Sequence, residues 1–394
     1  MNYEKYTVQK RHFANIFSLI VFDIINIISY CTIISLREIF AENKFIFGTY
    51  FRNHIETSFN IGVLLQCDIN YIFKVFANKT YMLYLTYNNT ICVDGAGSQL
   101  WRILTIYLTA KYFKLGYIHT PIAYMSYCGL EALEKNDGDQ SQVAQYNSLF
   151  TFPSDTFTGT FDEEHAVGYL SLELLQIAYN MPKNILLKIS WCTELVTNKP
   201  YDSLILNLEK PFLPWLKTVY NLPVIIAVHV RRGELYIVAS DRMLPNSYYI
   251  EIMQGLEVIL NEFNIPHEFH LYTEVAKKDI VVTPTHHGIC NQLSSNVTIS
   301  PSFYKVEELN CVKNIKFFIN TCPVQAIQSL ANSHFLITSR SCFSYVPAAL
   351  KNYGLAFSCV QEDSRVDRFM IVNTKEDIYN NKVKILSTLL KTIV

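Results

Sequence analysis

An apolar run from Val224 to Val230, broken only by His229, passes directly into Arg231-Arg232-Gly233-Glu234. A guanidinium is permanently charged and presents a planar fork of donors, which suits the paired oxygens of a phosphate or diphosphate. Neighbouring side chains on a strand point to opposite faces, so one of the two arginines is expected to point, with His229, into a cleft. Arg232 is the first candidate for the anion and Arg231 the second. The plainer alternative is a strand end with two solvated arginines. Glu234 and Asp241 follow closely enough to take a proton from an attacking hydroxyl, or to support the arginines instead.

Two further stretches carry groups that can meet a phosphate. Gly95-Ala96-Gly97-Ser98-Gln99, with Arg102 beyond it, sits where a strand should give way to a helix. Glycines there let backbone amides approach a ligand. The third glycine of a dinucleotide fingerprint is missing, and a tight structural turn explains the pattern as well. Ser339-Arg340-Ser341-Cys342-Phe343-Ser344 opens another helix. Hydroxyls and amides at a helix start bind phosphate, and they also simply cap helices. Asp137-Gly138-Asp139 and His286-His287 lie in turn-like sequence with no strand or helix to hold them, so no metal site is expected.

The elements that must position these groups alternate in type. Strands are expected at Tyr81–Thr86, Thr90–Asp94, Tyr117–Pro121, Ile185–Ser190, Val224–Val230, Phe269–Glu274, Asn314–Thr321, His334–Ser339, Leu355–Cys359 and Phe369–Asn373. Helical spacing runs from Leu104 to Tyr112, with Gly116 as its stop, and from Ile250 through Met253, Leu256, Ile259 and Leu260 to Pro266. Further helices are expected at Pro323–Asn332, towards Leu350, and from Lys375 onward. Residues 131–165 are polar and read as loop plus a short helix. Strands alternating with helices indicate an α/β protein with parallel sheets. In such sheets ligands bind at the carboxyl ends of the strands, which is where the arginines stand.

Composition narrows the classes. The chain has 394 residues, enough for two domains, with half of them apolar and 17% charged. A net charge of −1 offers no basic face for a polyanion, so nucleic acid is not expected as a partner. The ten cysteines contain no Cys-x-x-Cys pair. They read as free core thiols, which favours a reducing compartment.

The pattern His229-x-Arg231-Arg232-Gly233-Glu234 resembles the His-x-Arg-Arg-Gly-Asp signature of the fucosyltransferase superfamily, which includes α1,2-, α1,6- and protein O-fucosyltransferases. Glu234 stands where many members have Asp. Gly95, Gly97 and Gln99, with Arg102, are similar to the family's Gly-x-Gly-Asn-Gln turn, Ser98 replacing Asn. Ser341, Phe343 and Ser344 match its Asn-Ser-Ser-Phe-Ser-Trp motif, with Arg340, Cys342 and Tyr345 at the other positions. The resemblance covers roughly residues 80–360. It implies the GT-B architecture, two Rossmann-like β/α/β domains facing across a cleft. It also implies GDP-fucose as donor substrate, no metal or other cofactor, inversion at the anomeric carbon, and a hydroxyl of a glycan or glycoprotein as acceptor. By the same resemblance His229, Arg231 and Arg232 bind the donor, Thr273 and Glu274 line its nucleotide side, and Ser341, Phe343 and Ser344 approach its phosphates. The glycine turn faces the cleft. Two rivals stand beside this reading: transfer of another nucleotide sugar on the same fold, and a non-catalytic relative that binds glycan or nucleotide.

The expected organisation is an N-terminal apolar segment to residue 80, an acceptor-side domain over 81–210 and a donor-side domain over 211–394, with the boundary in the proline-bearing stretch 200–214. Residues 14–35 are apolar over a length that crosses a bilayer and follow Lys5, Lys10 and Arg11. Asp23 near the centre of that run opposes insertion. The segment is therefore either a membrane anchor, giving a type II protein of the Golgi or endoplasmic reticulum, or a buried helix of a cytoplasmic protein.

Overall fold

The computed structural model describes residues 82–90, 95–125, 130, 141–191, 223–233, 235, 240–283, 295–351, 353–359 and 369–393. All belong to the compact unit that spans 79–394. The possible anchor at 14–35, the expected boundary at 200–214, Glu234, the Asp137 and Asp139 pair, and His286 and His287 lie outside the described residues. Among the described residues, no helix is long and apolar enough to cross a membrane.

The first sheet holds β1 (Leu83–Tyr87), β2 (Gly116–Ile118), β3 (Glu163–Tyr169) and β4 (Ile185–Trp191) in the order β2-β1-β4-β3, all parallel. Every residue of β1 is buried, as expected of a central parallel strand covered on both faces. Helix α1 (Ala96–Tyr112) follows β1, and α2 (Ser141–Leu149) and α3 (Leu172–Asn180) complete the unit. Residues 89 and 90 form a turn in which Asn88 Oδ1 accepts from the Thr90 amide at 3.3 Å. Thr90 lies in this turn, and the rest of the strand expected over Thr90–Asp94 falls outside the described residues. The polar sequence 163–169 forms β3, which had no apolar signature because it is the sheet's edge: only Val167 is buried.

The second sheet holds β5 (Val224–Val230), β6 (His267–Thr273), β9 (Ile315–Ile319), β10 (Phe335–Ile337), β11 (Leu355–Ser358) and β12 (Phe369–Ile371). All pair in parallel, in the order β12-β11-β10-β5-β6-β9. Counted along the chain this is 3-2-1-4-5-6, the doubly wound Rossmann order, whose direction reverses between β5 and β10. Val224, Ile226, Val228 and Val230 pack into a core with α4 (Asn246–Glu262), α7 (Lys375–Asn380) and α8 (Lys382–Ile393). Ala227 on the opposite face joins a core that includes α5 (Pro323–Ala331) and α6 (Cys342–Leu350) and continues into the first sheet. The C-terminal helix expected from Lys375 is two helices that meet at Asn381.

Between β6 and β9 the chain forms a small antiparallel ribbon, β7 (Ile280–Val282) with β8 (Val297–Ile299), and two 3-10 turns at 301–303 and 306–309. Leu130, Ala276, Ile280, Val282, Ile299 and Tyr304 give it a core of its own. Nothing in the sequence reading anticipated this ribbon.

Candidate functional site

The strand reversal between β5 and β10 brings the two distant stretches of chemistry together. His229, the penultimate residue of β5, lies with its Nδ1 2.8 Å from the Ser339 hydroxyl just beyond β10. Its ring sits 5.2 Å from that of Phe343 in the first turn of α6. His229 is buried, and burial first, then the charges of Arg231 and Arg232, push its pKa down to about 3. At neutral pH it is an uncharged hydrogen-bonding group and adds no positive charge.

The two arginines, which follow the end of β5, differ in burial. Arg232 is buried, on the side of β5 that carries Val228 and Val230. Its Nη1 donates to the Arg231 carbonyl at 2.9 Å and its Nη2 to Asn246 Oδ1, while its guanidinium lies 5.6 Å from the centre of the Tyr249 ring. Burial lowers its pKa, and the contact with Tyr249 opposes that shift. Arg231 is half-buried and directly follows the last residue of β5; alternation carried one residue past the strand end assigns it to the His229 side. Gly233 closes the turn with a φ of +54°, a left-handed conformation that favours glycine.

The start of α6 accounts for most of its own polar groups. Ser341 caps the helix, its hydroxyl accepting from the Phe343 amide at 3.2 Å. Ser344 is fully buried and donates to the carbonyls of Ser341 and Ser339. Cys342 and Phe343 are half-buried and Arg340 is exposed. The exposed 240–242 turn adjoins Arg340: Arg340 Nη1 reaches the Asp241 carbonyl at 3.5 Å, and Arg242 Nη2 the Arg340 carbonyl at 3.2 Å. Asp241 is thus on the rim of the edge that carries Arg231 and Arg340.

Thr273 and Glu274, at the end of β6, are engaged within the fold. Thr273 donates to the Val230 carbonyl at 2.8 Å, and Glu274 Oε1 accepts from the Leu130 amide at 2.5 Å. In the glycine turn, Gly97 is buried against α6: a Cβ there would stand 2.6 Å from the Phe343 nitrogen. Gly95 has an ordinary extended backbone and caps α1. Ser98 is half-buried. Gln99 accepts from the Tyr87 hydroxyl at 3.0 Å and donates to the Tyr124 carbonyl at 2.8 Å. Arg102 lies 4.4 Å from the Trp191 ring at the end of β4. The glycine turn and the serine-bearing turn are therefore neighbours, and the contact between them is backbone against backbone.

The sequence reading did not single out Ser339, Asn246, Tyr249 or Tyr304. Ser339 heads the serine-bearing stretch, where a hydroxyl at the end of an expected strand is a signal for it. Asn246, Tyr249 and Tyr304 had no local signal, because only the fold brings them to the arginine turn. The four described cysteines, Cys311, Cys322, Cys342 and Cys359, are not in disulfides, and each is half-buried.

No family model matches the chain, and a search of curated proteins finds no match. Among solved structures it is similar to the UDP-GlcNAc 2-epimerase of Methanocaldococcus jannaschii in complex with UDP-GlcNAc and UDP, at 11% identity over 80% of this chain and 72% of that one, with a TM-score of 0.28. The parallel strands of both sheets and the doubly wound order of the second define the fold.

Proposed function

We propose that the chain is a glycosyltransferase that binds a nucleotide diphosphate sugar at the carboxyl edge of the second sheet and moves the sugar to a hydroxyl of a glycan or glycoprotein. One observation carries this reading. The stretches 229–233 and 339–344 converge at the strand reversal of a doubly wound sheet, where such sheets bind ligands. GDP-fucose is the first donor to test, because the three motifs resemble those of fucosyltransferases.

In this reading Arg231 and Arg340 take the diphosphate and neutralise the charge that grows on it as the glycosidic bond breaks. Fixed cations in that position do the work that a divalent metal does in other transferases. Arg232 shapes the turn that presents Arg231. His229, held neutral, orders the Ser339 side of the edge. The base that receives the acceptor proton is Asp241, on the rim, or Glu234, next to the arginines in sequence.

The test is a panel of GDP-fucose, GDP and uridine, adenosine and other guanosine diphosphate sugars, read by thermal shift, since ligands of the folded state raise its melting temperature. Transfer or hydrolysis is then measured in excess chelator. A shift by GDP and GDP-fucose with metal-independent turnover supports the full proposal. Selective stabilisation by another diphosphate sugar replaces fucose as donor. A chain that none of them stabilises is not a transferase of this kind.

A further inference from the structure

Asn246 stands at the first position of α4 and meets the arginine turn through the Arg232 side chain. Its amide meets three groups at once. Oδ1 accepts from Arg232 Nη2, and Nδ2 donates to the Lys305 carbonyl at 3.0 Å and to Glu308 Oε2 at 2.9 Å. Lys305 has a left-handed φ of +43°, a conformation that costs a non-glycine residue energy and needs support. Next to it, the Tyr304 hydroxyl donates to the Gly233 carbonyl at 3.2 Å. The segment after the β7–β8 ribbon therefore grips the arginine turn at two points, through Tyr304 on Gly233 and through Asn246 on Arg232.

The side chains that meet the guanidinium in this grip are uncharged. Among the described residues, Arg232 meets a carbonyl, a neutral amide and an aromatic ring. The carboxylate of Glu308 stands one residue further off, bound to the far side of the same amide. A carboxylate directly on a buried guanidinium forms a strong pair that cancels its charge locally. An amide holds the guanidinium in place without cancelling it, so the turn keeps its positive potential.

Building on the diphosphate-binding reading above, we propose that Asn246 is a positioning residue that fixes Arg232 while leaving the charge of the arginine turn to the diphosphate. The neutral amide at position 246, and the placing of the negative charge at Glu308, are what make the turn both rigid and attractive to an anion.

The experiment moves that charge without changing its total. In Asn246→Asp with Glu308→Gln, the carboxylate sits on Arg232 and an amide donor sits behind it. Inorganic pyrophosphate is titrated calorimetrically into the full-length wild type and the double variant at several salt concentrations, with melting temperatures alongside. The expected result is a folded variant whose pyrophosphate affinity falls about tenfold or more, close to the factor set by 1.4 kcal/mol, and whose salt dependence is flatter. A folded variant with unchanged affinity and salt dependence overturns the inference. If the double variant does not fold, Asn246→Ala decides: it should bind pyrophosphate several-fold more weakly, and equal binding overturns the inference. A wild type that binds neither pyrophosphate nor any nucleoside diphosphate overturns the diphosphate reading itself, which is a different failure.

Discussion

At the carboxyl edge of the first sheet, Gln99 uses both ends of its amide inside the fold and Arg102 lies over Trp191. At the same edge of the second sheet, Arg231 is half-buried and Arg340 exposed, beside a turn held from behind by Asn246 and Tyr304. Both edges carry a glycine, a polar side chain and an arginine at the start of a helix or the end of a strand. The difference lies in where their polar atoms are directed. Gln99 is directed into the sheet's own loops, whereas the second edge has the reversal of strand order that opens a binding crevice. A turn rich in chemical groups is therefore a site only where the topology presents them.

That comparison can be broken at its strongest point by Arg232→Lys. A lysine cannot reproduce a fork that reaches both the Arg231 carbonyl and Asn246. Hydrogen bonds to charged groups contribute about 1.5–3 kcal/mol each, so the variant should lose roughly that much stability, read by denaturant unfolding, together with diphosphate affinity. Loss of affinity at unchanged stability would place Arg232 on the ligand, where the sequence first put it. Gly97→Ala comes next, because it attacks the contact between the two edges. Its Cβ would stand 2.6 Å from the Phe343 nitrogen and 2.7 Å from its Cα, and overpacking of that kind costs about 1–3 kcal/mol. Its melting temperature and its ligand affinity should fall together. A variant as stable as the wild type would mean that the two turns can separate freely.

Gln99→Ala sharpens the contrast from the other side. Losing one buried and one part-buried hydrogen bond should cost about 1–3 kcal/mol while leaving diphosphate affinity where it was, as calorimetry would show. A large loss of affinity would make the first edge part of the donor site. The smallest effect is on pH dependence. His229 and His334 are both held neutral, at about 3 and about 4, by burial first and then by the arginines and by Lys351 respectively. Both values lie below the ordinary 6.5, so the unfolded chain takes up protons that the folded one refuses. The stability that these two histidines contribute is therefore full above about pH 6.5 and is lost as the pH falls through about 4 and about 3. His334→Gln can still accept from the Ile225 amide and should make that fall shallower by one proton. An identical slope would show that His334 is protonated in the folded state.

Much of the second sheet was legible because its strands are apolar runs bounded by turns: Val224–Val230 was read to the residue. The edge strand β3 and the β7–β8 ribbon were not, since an edge strand needs few buried residues and the ribbon's core depends on Leu130, distant in sequence. Both arginines were found, but alternation alone states only that they differ. Which of them is buried depends on α4, whose Asn246 and Tyr249 meet Arg232 across the turn. The serine motif was found as well, yet Ser341 and Ser344 cap and brace α6 while Ser339 meets His229. A hydroxyl at a helix start looks the same in sequence whether it faces a ligand or its own backbone.

The central claim is that Arg231, on the side of β5 that carries His229, holds a nucleotide diphosphate. Calorimetric titration of GDP into the wild type and into Arg231→Ala, with melting temperatures of both, tests it most directly. Two charge-assisted bonds of about 1.5–3 kcal/mol each predict a loss of affinity of roughly 100-fold or more, at a melting temperature within a few degrees of the wild type. Equal GDP affinity in the two proteins would contradict the account.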